Sequence, residues 1–155
     1  MAEEIERKFL LTAVPGAEAL GPGRRLRQGY VAVDGAVEVR VRVDESAAVL
    51  TVKAGSGLAR TEVELPLDAD AADALWAHTE GRRIEKRRHR CALDGSLVAE
   101  VDLFDGDLDG LAVVEVEFPD ADAAAAFEPP PWFGREVTGE AGWSNADLAR
   151  FGRPG

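Results

Sequence analysis

The chain has 155 residues, 46% hydrophobic and 30% charged, which is about one domain's worth and long enough to bury a core. Twenty-nine acids against eighteen bases leave a net charge of −11, and that excludes a general affinity for nucleic acid or an anionic membrane. One cysteine, Cys91, excludes an internal disulfide and a cysteine-rich zinc site, and two histidines, His78 and His89, leave little for a histidine-based one.

Period-two alternation predicts strands over residues 3–11 and 25–33, then over 36–43 after the hairpin signal Asp34-Gly35. Further strands follow over 49–53 and 59–67. The Gly-rich turn at 54–57 between them is no phosphate loop, because no Gly-Lys-Ser/Thr follows it. Asp68 or Asp70 caps a helix running through Trp76, with Gly81 beyond its end. Strands over 83–93, 96–104 and 111–118 come next. Asp120 caps a short Ala-rich helix that stops before Pro129-Pro130-Pro131, and Ser144 with Asp147 forms a capping box for a last helix closed by Gly152. Residues 1–155 read as one domain. No run approaches the roughly 20 apolar residues of a membrane span, and the acidic N-terminus has no signal-peptide pattern, so a cytoplasmic location is expected.

Residues two apart on a strand share a face, and here one face is densely charged. Glu4, Glu6 and Lys8 share a face, with Arg7 an exception among apolar Ile5 and Phe9. Glu38, Arg40 and Arg42 oppose four valines. Thr51 and Lys53 oppose Leu50 and Val52; Arg60, Glu62 and Glu64 oppose Thr61, Val63 and Leu65. Lys86, Arg88 and Arg90 share a face, as do Glu100 with Asp102 and Glu115 with Glu117. The alternation fits a solvated antiparallel sheet; it also fits a barrel whose charges line a shared interior, with the valine faces covered by helices and loops. Repeated like charges favour the barrel, since neighbouring carboxylates repel unless a cation sits between them. Only three residues are lysine against fifteen arginines, and all three, Lys8, Lys53 and Lys86, fall in these strands. A compact ammonium binds phosphate as a point charge, and carboxylates suit Mg²⁺ or Mn²⁺.

Glu4-Ile5-Glu6-Arg7-Lys8 closely resembles the Glu-x-Glu-x-Lys signature of the CYTH superfamily, the triphosphate tunnel metalloenzymes. In order along the chain, Gln28-Gly29-Tyr30, Val39-Arg40-Val41-Arg42, Leu50-Thr51-Val52-Lys53, Thr61-Glu62-Val63-Glu64, Lys86-Arg87-Arg88, the segments around Glu100-Val101-Asp102 and Val114-Glu115-Val116-Glu117, and the C-terminal Glu136-Val137-Thr138 and Trp143-Ser144-Asn145 resemble its other segments. Trp143 departs from the family's common Tyr, which bears on C-terminal docking.

The resemblance implies a mainly β fold: an eight-stranded antiparallel β-barrel forming a tunnel, with a few short helices outside. It implies metal-dependent hydrolysis of inorganic triphosphate. Lys8, Arg40, Arg42, Lys53, Lys86 and Arg88 would grip phosphate, with Lys8, Arg42 and Asp102 catalytic. Glu4, Glu6, Glu115, Glu117 and Asp102 would hold two Mg²⁺ or Mn²⁺ ions. Glu62 and Glu64 would either ligate metal or, the reading preferred here, orient the bases by ion pairing, and Tyr30 either reaches Lys8 or is a plain wall aromatic. Cys91 reads as a small buried apolar residue. A class IV adenylate cyclase, a thiamine triphosphatase and a non-catalytic polyphosphate-binding module are the alternatives. The expected partner is a small polyanion, with no nucleic acid or membrane and with a homodimer left open. A basic tunnel inside an acidic shell reconciles the substrate with the net charge.

Overall fold

The computed structural model describes residues 2–16, 18–55 and 57–155; of the turn expected at 54–57, Ser56 lies outside the described residues. Eight strands form: β1 (Ala2–Leu10), β2 (Arg24–Asp34), β3 (Val37–Val43), β4 (Ala48–Ala54), β5 (Ala59–Leu67), β6 (Arg83–Ala92), β7 (Val98–Asp105) and β8 (Ala112–Phe118). All neighbours are antiparallel, and the sheet closes on itself in the order β1-β5-β4-β3-β2-β6-β7-β8. Helices α1 (Ala69–Trp76), α2 (Ala121–Ala126) and α3 (Asn145–Phe151) begin where their caps predict. Asp68, Asp120 and Ser144 each accept a backbone N–H from three residues on. A 3₁₀ turn at Gly106–Leu108, unforeseen in the sequence, links β7 to β8.

Closure decides what the alternation left open: the charged faces point inward. The opposite faces of β1, β7 and β8 put Ile5, Phe9, Val101, Val114 and Val116 outside the barrel. They form a core with Ala124 of α2 and with Phe133. Helix α1 packs over β2, β3 and β4. The expectation that every outer valine face would be covered fails along β5, where Val63 and Leu65 are exposed. A second apolar cluster forms where the inward faces turn hydrophobic: Ile84, Phe104 and Val113 meet Val137, Trp143 and Leu148 of the C-terminal segment. It stoppers that end of the barrel.

Strand β1 has too few partners to be a complete wall strand. It pairs with β5 only from Ala2 to Ile5, and with β8 from Ile5 to Leu10. Glu6 still donates to Leu58 O at 3.2 Å, and from Lys8 onward that edge is taken by residues 134–138. Gly134 donates to Leu10 O at 2.8 Å, Leu10 to Arg135 O at 2.9 Å and Val137 to Lys8 O at 2.8 Å, and Thr138 Oγ1 accepts from the Lys8 backbone at 2.9 Å. This strap then passes the β4–β5 turn at Gly139, whose φ is +67°. A Cβ there would stand 2.8 Å from the Gly57 Cα, so both the conformation and the space demand glycine.

Arg7, the charged exception on the apolar face, fastens the strap. Its guanidinium donates to both Glu136 oxygens at 2.8 Å, to Ala124 O at 2.8 Å and to Phe127 O at 3.0 Å. It also lies 5.3 Å from the Phe9 ring centre, a cation–π distance.

Candidate active site

Alternation on eight strands delivers the charged side chains to one interior. Glu6, Lys8, Tyr30, Arg40, Lys53 and Glu115 line a cavity of about 270 Å³, together with Glu38, Arg60 and the strap. Three of the cations there are paired, whereas Arg40 makes no ion pair among the described residues and its Nε is buried without a partner. Lys53 Nζ lies 3.2 Å from Glu4 and 3.4 Å from Glu62, abreast of it on β5. Arg60 lies 3.1 Å from Glu38. Lys8 Nζ donates to the Trp143 carbonyl at 2.6 Å and lies 3.7 Å from Glu115.

Behind Glu115 the lattice continues. Arg88 lies 3.8 Å from Glu115 and 3.5 Å from Glu100, and makes a two-point contact with Asp102 at 2.8 Å. Lys86 lies 2.7 Å from Asp102. The interior is therefore not the basic tunnel the charge balance called for. It is a mixed lattice in which positive groups are held in place by carboxylates, and that is the condition for burying them at all.

The lattice sets the carboxyl groups apart. Burial, and then the neighbouring Glu115, push the Glu6 carboxyl well above the ordinary carboxylate range. Burial also pushes on Glu115, but Lys8, Arg88 and Lys86 outweigh it and hold that carboxyl below its usual value. Glu117 is exposed at the rim, where burial of its inner part and then Glu4, Glu100 and Glu62 raise it. Arg42 is not part of the cavity lining; its charged neighbours are Arg40, Glu64, Arg88 and Arg24. Burial lowers it first, then the like charge of Arg40, while Glu64 raises it. Glu64 is itself lowered, first by a hydrogen bond with Glu62 and then by Arg42 and Arg40. Burial pushes the Lys86 ammonium down to about 8, against the pull of Asp102.

Of the two readings of Tyr30, the contact with Lys8 fails and the wall aromatic fits: it lines the cavity, and the charges around its buried hydroxyl are Arg40, Glu38 and Lys53. Cys91 is partly exposed rather than buried, although it packs against the outer core. Sequence reasoning had put Glu38 and Arg60 on the charged faces without a role; their ion pair is part of the cavity wall. It missed the Trp143 carbonyl altogether, because every residue has one and only the path of the strap brings this one to Lys8.

Among the described residues no three acidic or metal-binding side chains converge closely enough to enclose an ion. The donors nonetheless suit a hard divalent cation. Glu4 and Glu6 are adjacent on one face, Glu4 Oε2 is buried 3.2 Å from the Lys53 ammonium, and Glu6 is pushed toward holding a proton beside Glu115 and Glu4. A divalent ion among these oxygens would replace that proton.

A CYTH domain model matches residues 2–150. The chain is 44% identical over 147 residues to an inorganic triphosphatase of Nitrosomonas europaea, covering 94% of this chain and 96% of that one. It is 38% identical over 152 residues to an inorganic triphosphatase of Acetivibrio thermocellus, covering 97% and 95%. A crystal structure of an inorganic triphosphatase superposes with a TM-score of 0.71 at 41% identity, over 97% of this chain and 99% of that one.

Proposed function

This chain belongs to the CYTH domain family, and from that premise we propose that it hydrolyses inorganic triphosphate to pyrophosphate and phosphate by direct attack of water, dependent on divalent metal. The observation that carries the reading is the interior lattice of paired charges. A triphosphate entering it takes Lys8, Arg40 and Lys53 as partners; Lys86 and Arg88 lie one layer deeper and Arg42 on the next residue of its face. Every anionic oxygen leaving water needs such a partner. Glu4 and Glu115, so released, together with Glu6 beside them and Glu117 at the rim, would hold Mg²⁺ or Mn²⁺, two ions in this reading. Bound there, the ions supply charge neutralisation and an activated water. The protein's part is to align the phosphate chain and shield it from bulk water. Glu62 fixes the Lys53 ammonium, and Glu64 sits against Arg42.

The partner is a small polyanion, neither nucleic acid nor membrane, in keeping with the net charge of −11. Among the described residues no helix is long and apolar enough to cross a membrane, and we place the protein in the cytoplasm.

The test is phosphate release from tripolyphosphate with Mg²⁺, Mn²⁺ or EDTA, with ATP and thiamine triphosphate alongside. Metal-dependent release mainly from tripolyphosphate is expected. A preference for thiamine triphosphate, or cyclic AMP from ATP, would keep the tunnel and change the substrate; tight polyphosphate binding without release would mean a binding module.

The Glu6 shift has a pH consequence. A carboxyl raised above its usual range keeps its proton to higher pH, and metal must displace that proton. Metal affinity therefore rises with pH through the folded-state value and releases a proton. Calorimetry of Mn²⁺ binding below neutrality, in two buffers of different ionisation enthalpy, should detect that release in the wild type. It should vanish in Glu6→Gln. For stability the sign is opposite to that of a paired carboxylate. Folding favours protonated Glu6, so this contribution is full below the unfolded-state pKa and is lost as pH rises through the folded one.

A further inference from the structure

Asp102 shared its sequence with the metal-ligand candidates, but its surroundings differ from theirs. It is completely buried on β7, directly across from Arg88 on β6. Oδ1 accepts from Arg88 Nε at 2.8 Å; Oδ2 accepts from Arg88 Nη2 at 2.8 Å and lies 2.7 Å from Lys86 Nζ. Both oxygens are thus occupied by buried cations, in the two-point geometry that suits guanidinium best. Among the described residues Glu4 Oε2 has one ammonium neighbour, Lys53 at 3.2 Å, and Glu6 makes no ion pair. An incoming ion meets those oxygens at far lower cost than the oxygens of Asp102. Lys86 completes the contrast. Its side chain is wholly buried, and apart from Asp102 its ammonium meets no acceptor among the described residues. An ammonium has three N–H donors; this one also lies 5.5 Å from the centre of the Phe104 ring, and Asp102 leaves it donors to spare.

We propose that Asp102 is a positioning residue, not a metal ligand: it clamps Lys86 and Arg88 side by side so that their remaining donors meet the phosphoryl oxygens of the substrate. The proposal rests on the triphosphatase reading and names the group that aligns two of its cations. Arg88 cannot swing away, because its guanidinium is fixed at two points. Asp102 is the nearest charge that opposes the effect of burial on the Lys86 ammonium.

The experiment measures Mn²⁺ binding to the substrate-free protein, from the free-ion paramagnetic resonance signal, for wild type, Asp102→Asn, Asp102→Glu and Glu6→Gln. Steady-state kcat and KM for tripolyphosphate and thermal melting are measured on the same samples. Asp102→Glu retains the charge, so a folded variant is available even if two uncompensated cations unfold Asp102→Asn. Expected is a Mn²⁺ affinity within about twofold of wild type for both Asp102 variants, against a loss of tenfold or more for Glu6→Gln. The kcat of the Asp102 variants should fall by roughly 100-fold, as expected for a misaligned charge clamp. A tenfold loss of Mn²⁺ affinity in Asp102→Glu would overturn the proposal in favour of a metal ligand. Lowered melting with kcat unchanged would reduce Asp102 to a structural role and overturn it as well. Absence of turnover in the wild type would instead fail the triphosphatase reading, while the Mn²⁺ measurements still decide whether Asp102 binds metal.

Discussion

Lys8→Ala lowers kcat/KM for tripolyphosphate by roughly 10³-fold, or about 4 kcal/mol of transition-state stabilisation. Three facts set that size. Lys8 is buried, it lines the cavity, and its ammonium is held 2.6 Å from the Trp143 carbonyl and 3.7 Å from Glu115. Removing it takes one charge-assisted contact from the substrate and leaves the carbonyl and Glu115 less compensated. Truncating one member of a buried, hydrogen-bonded charge pair costs about 2–5 kcal/mol. The fold should survive, because Glu115 keeps Arg88 and the backbone of Lys8 keeps its bonds to the strap. The check is steady-state kinetics beside a melting curve. A well-folded variant with undiminished turnover would end the assignment of the tunnel as the site.

Arg7→Ala acts on stability instead. Four hydrogen bonds and a cation–π contact leave together, and the carbonyls of Ala124 and Phe127 lose their guanidinium donor. Hydrogen bonds to charged groups are worth about 1.5–3 kcal/mol each and are not additive. A net loss of about 3 kcal/mol is expected, which for a chain of this size lowers the melting temperature by roughly 10 °C. Arg7→Lys should recover little of it, because one ammonium cannot span the acceptors a planar fork reaches. A melting temperature unchanged within a degree would show that the strap is held by its backbone bonds alone.

Arg7 also marks how far the sequence could be read. The strands and the three helix starts were legible because their signals are local: alternation and side-chain caps act within a few residues. The inward direction of the charged faces was not local. Only closure of the sheet decides it, and alternation alone favoured a solvated sheet. Most of the candidate site was legible for the same reason as the strands, since Glu4, Glu6, Lys8, Arg40 and Lys53 follow period two. What each group touches was not. Asp102 and Glu115 look alike in sequence, both acids on an inward face. One is locked by Arg88 and Lys86, and the other is shared among looser neighbours. Arg7 looked like an error in an apolar face until the strap, far away in the chain, supplied its acceptors.

The strap carries a cost in time. The partners Arg7 and Glu136 are 129 residues apart, and β1 meets β8 and the strap only when nearly all of the chain exists. The first-made strand of the barrel is therefore among the last of its strands to have both edges satisfied. Such non-local pairing slows folding to roughly milliseconds or seconds, and meanwhile an unpaired edge invites association with other chains. Glu3, Glu4, Glu6, Arg7 and Lys8 crowd that waiting segment with charge, as gatekeeper residues do beside aggregation-prone strands. The residues that equip the finished tunnel thus also protect the nascent chain from its neighbours.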